Sequence, residues 1–80
     1  MEITLYTAHD NKSKLIEKKL KELQLSYLIV EDSKVINRVA KKYKLDLPIL
    51  QIDNLFFDYK QAEEYYQEQQ KLINKNGDDQ

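Results

Sequence analysis

The sequence predicts an α/β domain of βαβαββα order, with a four-stranded mixed sheet and helices on both faces. Three observations carry that prediction. Apolar residues recur with a period of two in short runs and of three to four in longer ones, which separates strands from helices. A strand–helix–strand unit opens the chain, and such a unit requires parallel strands joined by a right-handed crossover. Near the C-terminus, Ile49-Leu50-Gln51-Ile52 and Leu55-Phe56-Phe57 flank the turn formers Asp53-Asn54, the pattern of an antiparallel hairpin.

Each element follows from its own residues. Ile3 and Leu5 alternate with Thr4 and Tyr6 as a first strand. Leu15, Ile16, Leu20 and Leu23 then form the apolar face of a helix whose outer face carries Lys14, Lys18, Lys21 and Glu22. Asp10 and Ser13 are both suitable N-caps for it. Ser26-Tyr27-Leu28-Ile29-Val30-Glu31 is rich in β-branched and aromatic residues and apolar through its middle, as a strand covered on both faces should be. A second helix is expected from about Ser33 to Tyr43, with Val35, Ile36, Val39, Ala40 and Tyr43 turned inward. Leu47 precedes Pro48, the only proline, and is thereby pushed out of helical geometry before the hairpin starts. Asp58-Tyr59-Lys60-Gln61 has the form of a capping box, and Ala62, Tyr65, Tyr66, Gln69, Leu72 and Ile73 give the last helix its inner stripe. The expected domain is 1–73, followed by a flexible polar tail, 74–80.

Composition narrows the function classes. At 80 residues the chain buries roughly 60–65% of its unfolded surface, and with no cysteine it has no disulfide to help it. The cysteine-free composition, the lack of a long apolar run and an N-terminus without the basic region of a signal peptide make the cytoplasm the expected compartment and membrane association unexpected. Residues 1–45 carry nine Lys and one Arg against six acids, whereas residues 46–80 carry three Lys against eight acids. That split reads as solvated helix faces of opposite sign, and the acidic second half argues against nucleic acid as a partner.

Ile3-Thr4-Leu5-Tyr6-Thr7, the helix Lys14-Leu15-Ile16-Glu17-Lys18-Lys19-Leu20-Lys21, Leu47-Pro48-Ile49-Leu50-Gln51-Ile52-Asp53 and Asp58-Tyr59-Lys60-Gln61-Ala62 occur in an order and spacing that resembles small glutaredoxin-like proteins of Gram-positive bacteria and their phages. The likeness spans roughly residues 2–68. It implies a thioredoxin-like (glutaredoxin-type) fold, a cis bond before Pro48, and a Cys-x-x-Cys motif after the first strand. Here that motif falls on Asp10-Asn11-Lys12-Ser13, or one residue later on Asn11 to Lys14, and neither register holds a cysteine.

Thiol–disulfide exchange needs a thiolate to attack sulfur. The expectation is therefore no oxidoreductase activity, no catalytic residue, no cofactor and no metal. Glutathione-ligated iron–sulfur binding, which the resemblance would otherwise imply, needs the same missing cysteine. Asp10 would place a fixed carboxylate where the attacking thiolate of the family sits, in the field of the helix N-terminus. His9, the only histidine, reads as an exposed loop residue, since nothing in the sequence specifies an orienting acid or oxyanion hole to let it activate Ser13. Phe56, Phe57, Tyr65 and Tyr66 read as core, with Tyr59 or Tyr66 at its margin.

What the resemblance leaves is the former substrate surface. His9, Asp10, Ser13, Leu47 and Pro48 are the candidate peptide-binding residues, with Asn11 and Lys12 completing the vestigial motif. The leading expectation is a redox-inactive protein-binding module, acting on a host protein if the chain is a phage product. The alternative is a structural or assembly subunit that self-associates, for example as a homodimer. Nucleic-acid binding through the first helix and Lys41-Lys42 ranks below both.

Overall fold

A computed structural model describes the backbone of residues 1–78 and the side chains of residues 1–71. The elements are β1 (Ile3–Tyr6), α1 (Asn11–Glu22), β2 (Leu28–Val30), α2 (Ser33–Tyr43), β3 (Ile49–Ile52), β4 (Leu55–Phe57) and α3 (Tyr59–Asp78). The sheet order is β2-β1-β3-β4. β1 runs parallel to β2 and antiparallel to β3, and β3 runs antiparallel to β4. This mixed sheet with three helices has a thioredoxin-like βαβαββα layout.

Two apolar clusters lie on opposite faces of the sheet. Ile3, Leu5, Leu50 and Ile52 meet Ile16 and Leu20 of α1 and Ala62 and Tyr66 of α3 on one face. Tyr6 and Ile49 meet Ile36 of α2 on the other, with Val30, Val35, Val39, Ala40, Leu45, Leu47 and Phe56 packed around them. Tyr6 alternates with Leu5 yet is also buried, because β1 is a central strand covered on both sides. Its hydroxyl donates to Gln51 Oε1 at 2.6 Å. Phe56 and Phe57, adjacent on β4, pack on opposite faces as the pleat requires.

The helix boundaries have local causes. Asp58 Oδ1 accepts from Gln61 N, and Gln61 Oε1 accepts from Asp58 N, closing the expected capping box of α3. α1 and α2 end alike. Gln24 (φ 57°) and Lys44 (φ 54°) take left-handed backbone, and the next amides, Leu25 and Leu45, reach back to Leu20 O and Ala40 O. Leu25 and Leu45 then drop onto the two apolar clusters.

Four sequence expectations need correction. β2 is shorter than the predicted run and is not covered on both faces, because it is an edge strand. Leu28 and Ile29 remain 71% and 43% exposed. Leu15 lies off the buried stripe at 48% exposure, and its expected place inside α1 is taken by Ser13. Tyr43 is not enclosed by α2 but lies at the surface, its ring stacked on Phe56 at 3.8 Å. Tyr66 is in the core as expected, at 3% exposure, and Tyr59 is the half-buried residue at its margin. α3 extends to Asp78, beyond residue 73 where the sequence pattern closes. The predicted inward positions of Leu72 and Ile73, and residues 79–80 of the expected tail, lie outside the described residues.

Candidate functional site

The chain leaves β1 at Thr7, whose amide donates to Val30 O at 3.3 Å. Thr7 is buried, and its hydroxyl oxygen accepts from His9 N at 3.1 Å. His9 turns the chain through left-handed backbone (φ 55°) with its ring at the surface. Asp10 then takes extended geometry as the N-cap of α1. Of the two capping residues the sequence offers, Asp10 is the cap and Ser13 is the third residue of the helix.

Asp10 and Ser13 are bonded to each other. Asp10 Oδ1 accepts from both Ser13 N and Ser13 Oγ, each at 2.9 Å. Ser13 Oγ in turn accepts from Ala8 N at 2.9 Å. The Ser13 backbone amide, then its hydroxyl, hold the Asp10 carboxyl below the usual carboxylate range. Ser13 is 1% exposed, its proton is committed to Asp10, and its oxygen already serves Ala8. A hydroxyl so placed offers no free nucleophile, and the His9 ring is not among its partners. Asn11 and Lys12 are exposed on the first turn. Lys12 Nζ lies over the Tyr59 ring, 5.5 Å from its centre, and so ties the start of α1 to the start of α3.

The second segment arrives at the same end of the sheet. Tyr6 pairs with Ile49, so Thr7 and Pro48 are the next residues out along the two strands. The Leu47–Pro48 bond is cis. Pro48 is buried, Leu47 is half-buried against the Tyr6–Ile36–Ile49 cluster, and Asp46 is exposed. Thus the β1–α1 loop and the chain leading into β3 share one end of the sheet, with Thr7 and Pro48 adjoining. Among the described residues there is no cluster of three or more His, Cys, Asp or Glu side chains able to hold a metal ion.

No protein-family model matches this chain. No curated protein or solved structure matches it either.

Two features at and near the site were not anticipated. Thr7 is a buried polar residue that braces the loop through His9, and only its place directly after an apolar strand hinted at that. α1 and α3 are separated by a cleft of about 350 Å³, whose walls include Leu15, Ile16, Lys18, Tyr59, Glu63 and Tyr66. Burial pushes the Tyr66 hydroxyl well above the usual tyrosine range, and that hydroxyl has no hydrogen-bond partner among the described residues. No helix of the described residues is long and apolar enough to cross a membrane.

Proposed function

We propose that this chain is a redox-inactive relative of the glutaredoxin-like proteins, acting as a protein-binding module and not as a thiol–disulfide enzyme. The observation that carries the reading is the closed Ala8–Ser13–Asp10 arrangement at the N-terminus of α1. In this reading an inert carboxylate keeps the helix start in order where a reactive thiolate would stand. The scaffold is retained while the chemistry is discarded. The absence of cysteine and the thioredoxin-like strand order support the same conclusion.

The surface left for a partner comprises His9, Asp10, Asn11 and Lys12 on one side and Asp46 and Leu47 on the other. An extended polypeptide laid beside residues 46–48 would gain backbone hydrogen bonds and cover the Leu47 side chain. Such binding needs no thiol.

The test is affinity capture from the source cell's lysate with the wild-type chain, Leu47→Asp and Lys12→Glu, each checked for folding by circular dichroism and thermal melting. One protein retained by wild type and reduced about tenfold by both folded variants is the expected result. Equal retention by all three removes this surface from the argument. Capture of the chain itself, with mass rising with concentration, would replace the reading with a self-associating structural subunit.

A further inference from the structure

The β2 edge is short, at three residues, but otherwise undefended for a strand left open. Natural edges are blunted by lysine, proline, bulges or a covering segment. Ser26-Tyr27-Leu28-Ile29-Val30 has no charge and no proline, and it places Leu28 and Ile29 at the surface at 71% and 43% exposure. Only one side of β2 is paired, to β1.

The register shows which backbone groups are free. Val30 O accepts from Thr7 N, so Val30 directs its backbone groups toward β1. In a parallel ladder alternate residues bond to the same neighbour, so Leu28 does likewise. Ile29, between them, directs its N–H and C=O outward, and the same alternation gives Tyr27 and Glu31 the outward positions of a pairing extended past the strand ends. A row of donors and acceptors is therefore available to an added strand.

The helices packed over this edge are basic. Glu17 of α1 accepts a hydrogen bond from Tyr27 Oη at 3.3 Å, which brings that face of α1 to the beginning of β2. Lys14, Lys18 and Lys21 share the same face by helical spacing, and all three are exposed. On the other side of the sheet, α2 carries Lys34, Arg38, Lys41 and Lys42 and no acidic residue. The acids near this edge are Glu17, at the start of β2, and Glu31 and Asp32, past its far end, against the seven basic residues named on the two helices. Two copies meeting edge to edge about a two-fold axis would bring the lysine faces of α1 together, which disfavours that pairing.

We propose that the β2 edge receives an extended acidic segment of another protein as a fifth strand. Its backbone bonds to Tyr27, Ile29 and Glu31, its apolar side chains cover Leu28 and Ile29, and its carboxylates face Lys14, Lys18 and Lys21. This surface is separate from the one at Leu47 and does not depend on it.

The probe is a synthetic capped heptapeptide alternating valine with glutamate, compared with the same peptide carrying lysine in place of glutamate. Both are titrated into the isotopically labelled chain and followed by amide NMR shifts and by solvent exchange. The acidic peptide should shift and protect the Tyr27, Ile29 and Glu31 amides, and its affinity should fall with salt. The lysine peptide should bind at least about tenfold more weakly. Ile29→Pro removes only an outward donor, and the triple variant Lys14→Glu, Lys18→Glu, Lys21→Glu reverses the flank; each should cut affinity by about tenfold or more. Lys60→Ala, on the exposed surface of α3, should leave it unchanged. No binding, equal binding of the two peptides, or shifts confined to other elements would overturn the proposal. Mass that grows with concentration in sedimentation would also overturn it, assigning the edge to a second copy through β4, whose flanks Asp53 and Asp58 are acidic too.

Discussion

At the scale of single residues, the site is governed by one hydroxyl and one carboxylate three positions apart. An N-cap carboxylate satisfies an otherwise orphaned amide and complements the helix dipole. Here it also accepts the Ser13 hydroxyl, while that hydroxyl satisfies the amide of Ala8. Asp10→Ala should therefore cost about 1–2 kcal/mol, the upper part of the range for capping residues. Acid should reveal the same contacts. The folded chain holds the Asp10 carboxyl below its ordinary value, so the unfolded chain takes up this proton first. The stabilisation is complete above the unfolded carboxylate range and is lost as pH falls through the folded value. Urea midpoints measured between about pH 7 and pH 3 should decline less for Asp10→Asn than for wild type. Parallel declines would show that the Ser13 contacts do not distinguish the charged cap. That a cap stood here was legible, since Asp10 and Ser13 are both capping types. Which of them serves was not, because the choice depends on Ala8 and the bend at His9, neither of which leaves a hydrophobic pattern.

At the scale of elements, helices were more legible than strands. The α2 limits Ser33 and Tyr43 agree with the predicted ones because an eleven-residue helix repeats its apolar stripe several times. β2 has only three residues, and an apolar triplet reads alike at the centre and at the edge of a sheet. Its exposure follows from strand order, which no local pattern encodes. The helix ends hold another feature that composition concealed. With a single glycine in the chain, both left-handed positions after α1 and α2 fall to long polar side chains, Gln24 and Lys44. Non-glycine residues lose roughly 1 kcal/mol or more in that conformation, while glycine is free to adopt it. Lys44→Gly should accordingly raise stability by about 0.5–1 kcal/mol in denaturant unfolding. Lys41→Gly, three residues earlier inside the helix, should lower it by about 1 kcal/mol. The opposite signs identify backbone conformation, and not the loss of a lysine, as the cause. A loss of stability in both variants would remove the left-handed cap from the account.

At the scale of the whole molecule, the sheet divides two cores of unequal strength. Among the described residues, the apolar cluster under α1 and α3 holds eight buried residues, whereas the one under α2 holds three. Within α2 only Ile36 is buried, while Leu5, Ile49 and Leu50 in the central strands have no exposure at all. The order of elements and the existence of two covered faces could be read from the sequence, but this inequality could not. Val35, Val39 and Ala40 have the right spacing for burial and are nevertheless only partly covered. The cost of opening an element scales with the apolar surface it exposes, so α2 should open before the sheet does. Leu45 and Leu47 pack in the same thin cluster, and the segment bearing the proposed partner surface should loosen with it. Native-state hydrogen exchange tests this directly. Amides of Val39 and Ala40 should be at least about tenfold less protected than those of Leu5 and Leu50, and should open with a weaker dependence on urea. Ile36→Ala, which deletes about 2–4 kcal/mol of packing, should widen the gap by loosening α2 first. Uniform protection across α2 and the sheet, unchanged in form by that substitution, would instead mean that both faces unfold as one unit. The segment at Leu47 would then be as rigid as the strands, and a partner would have to fit it without rearranging α2.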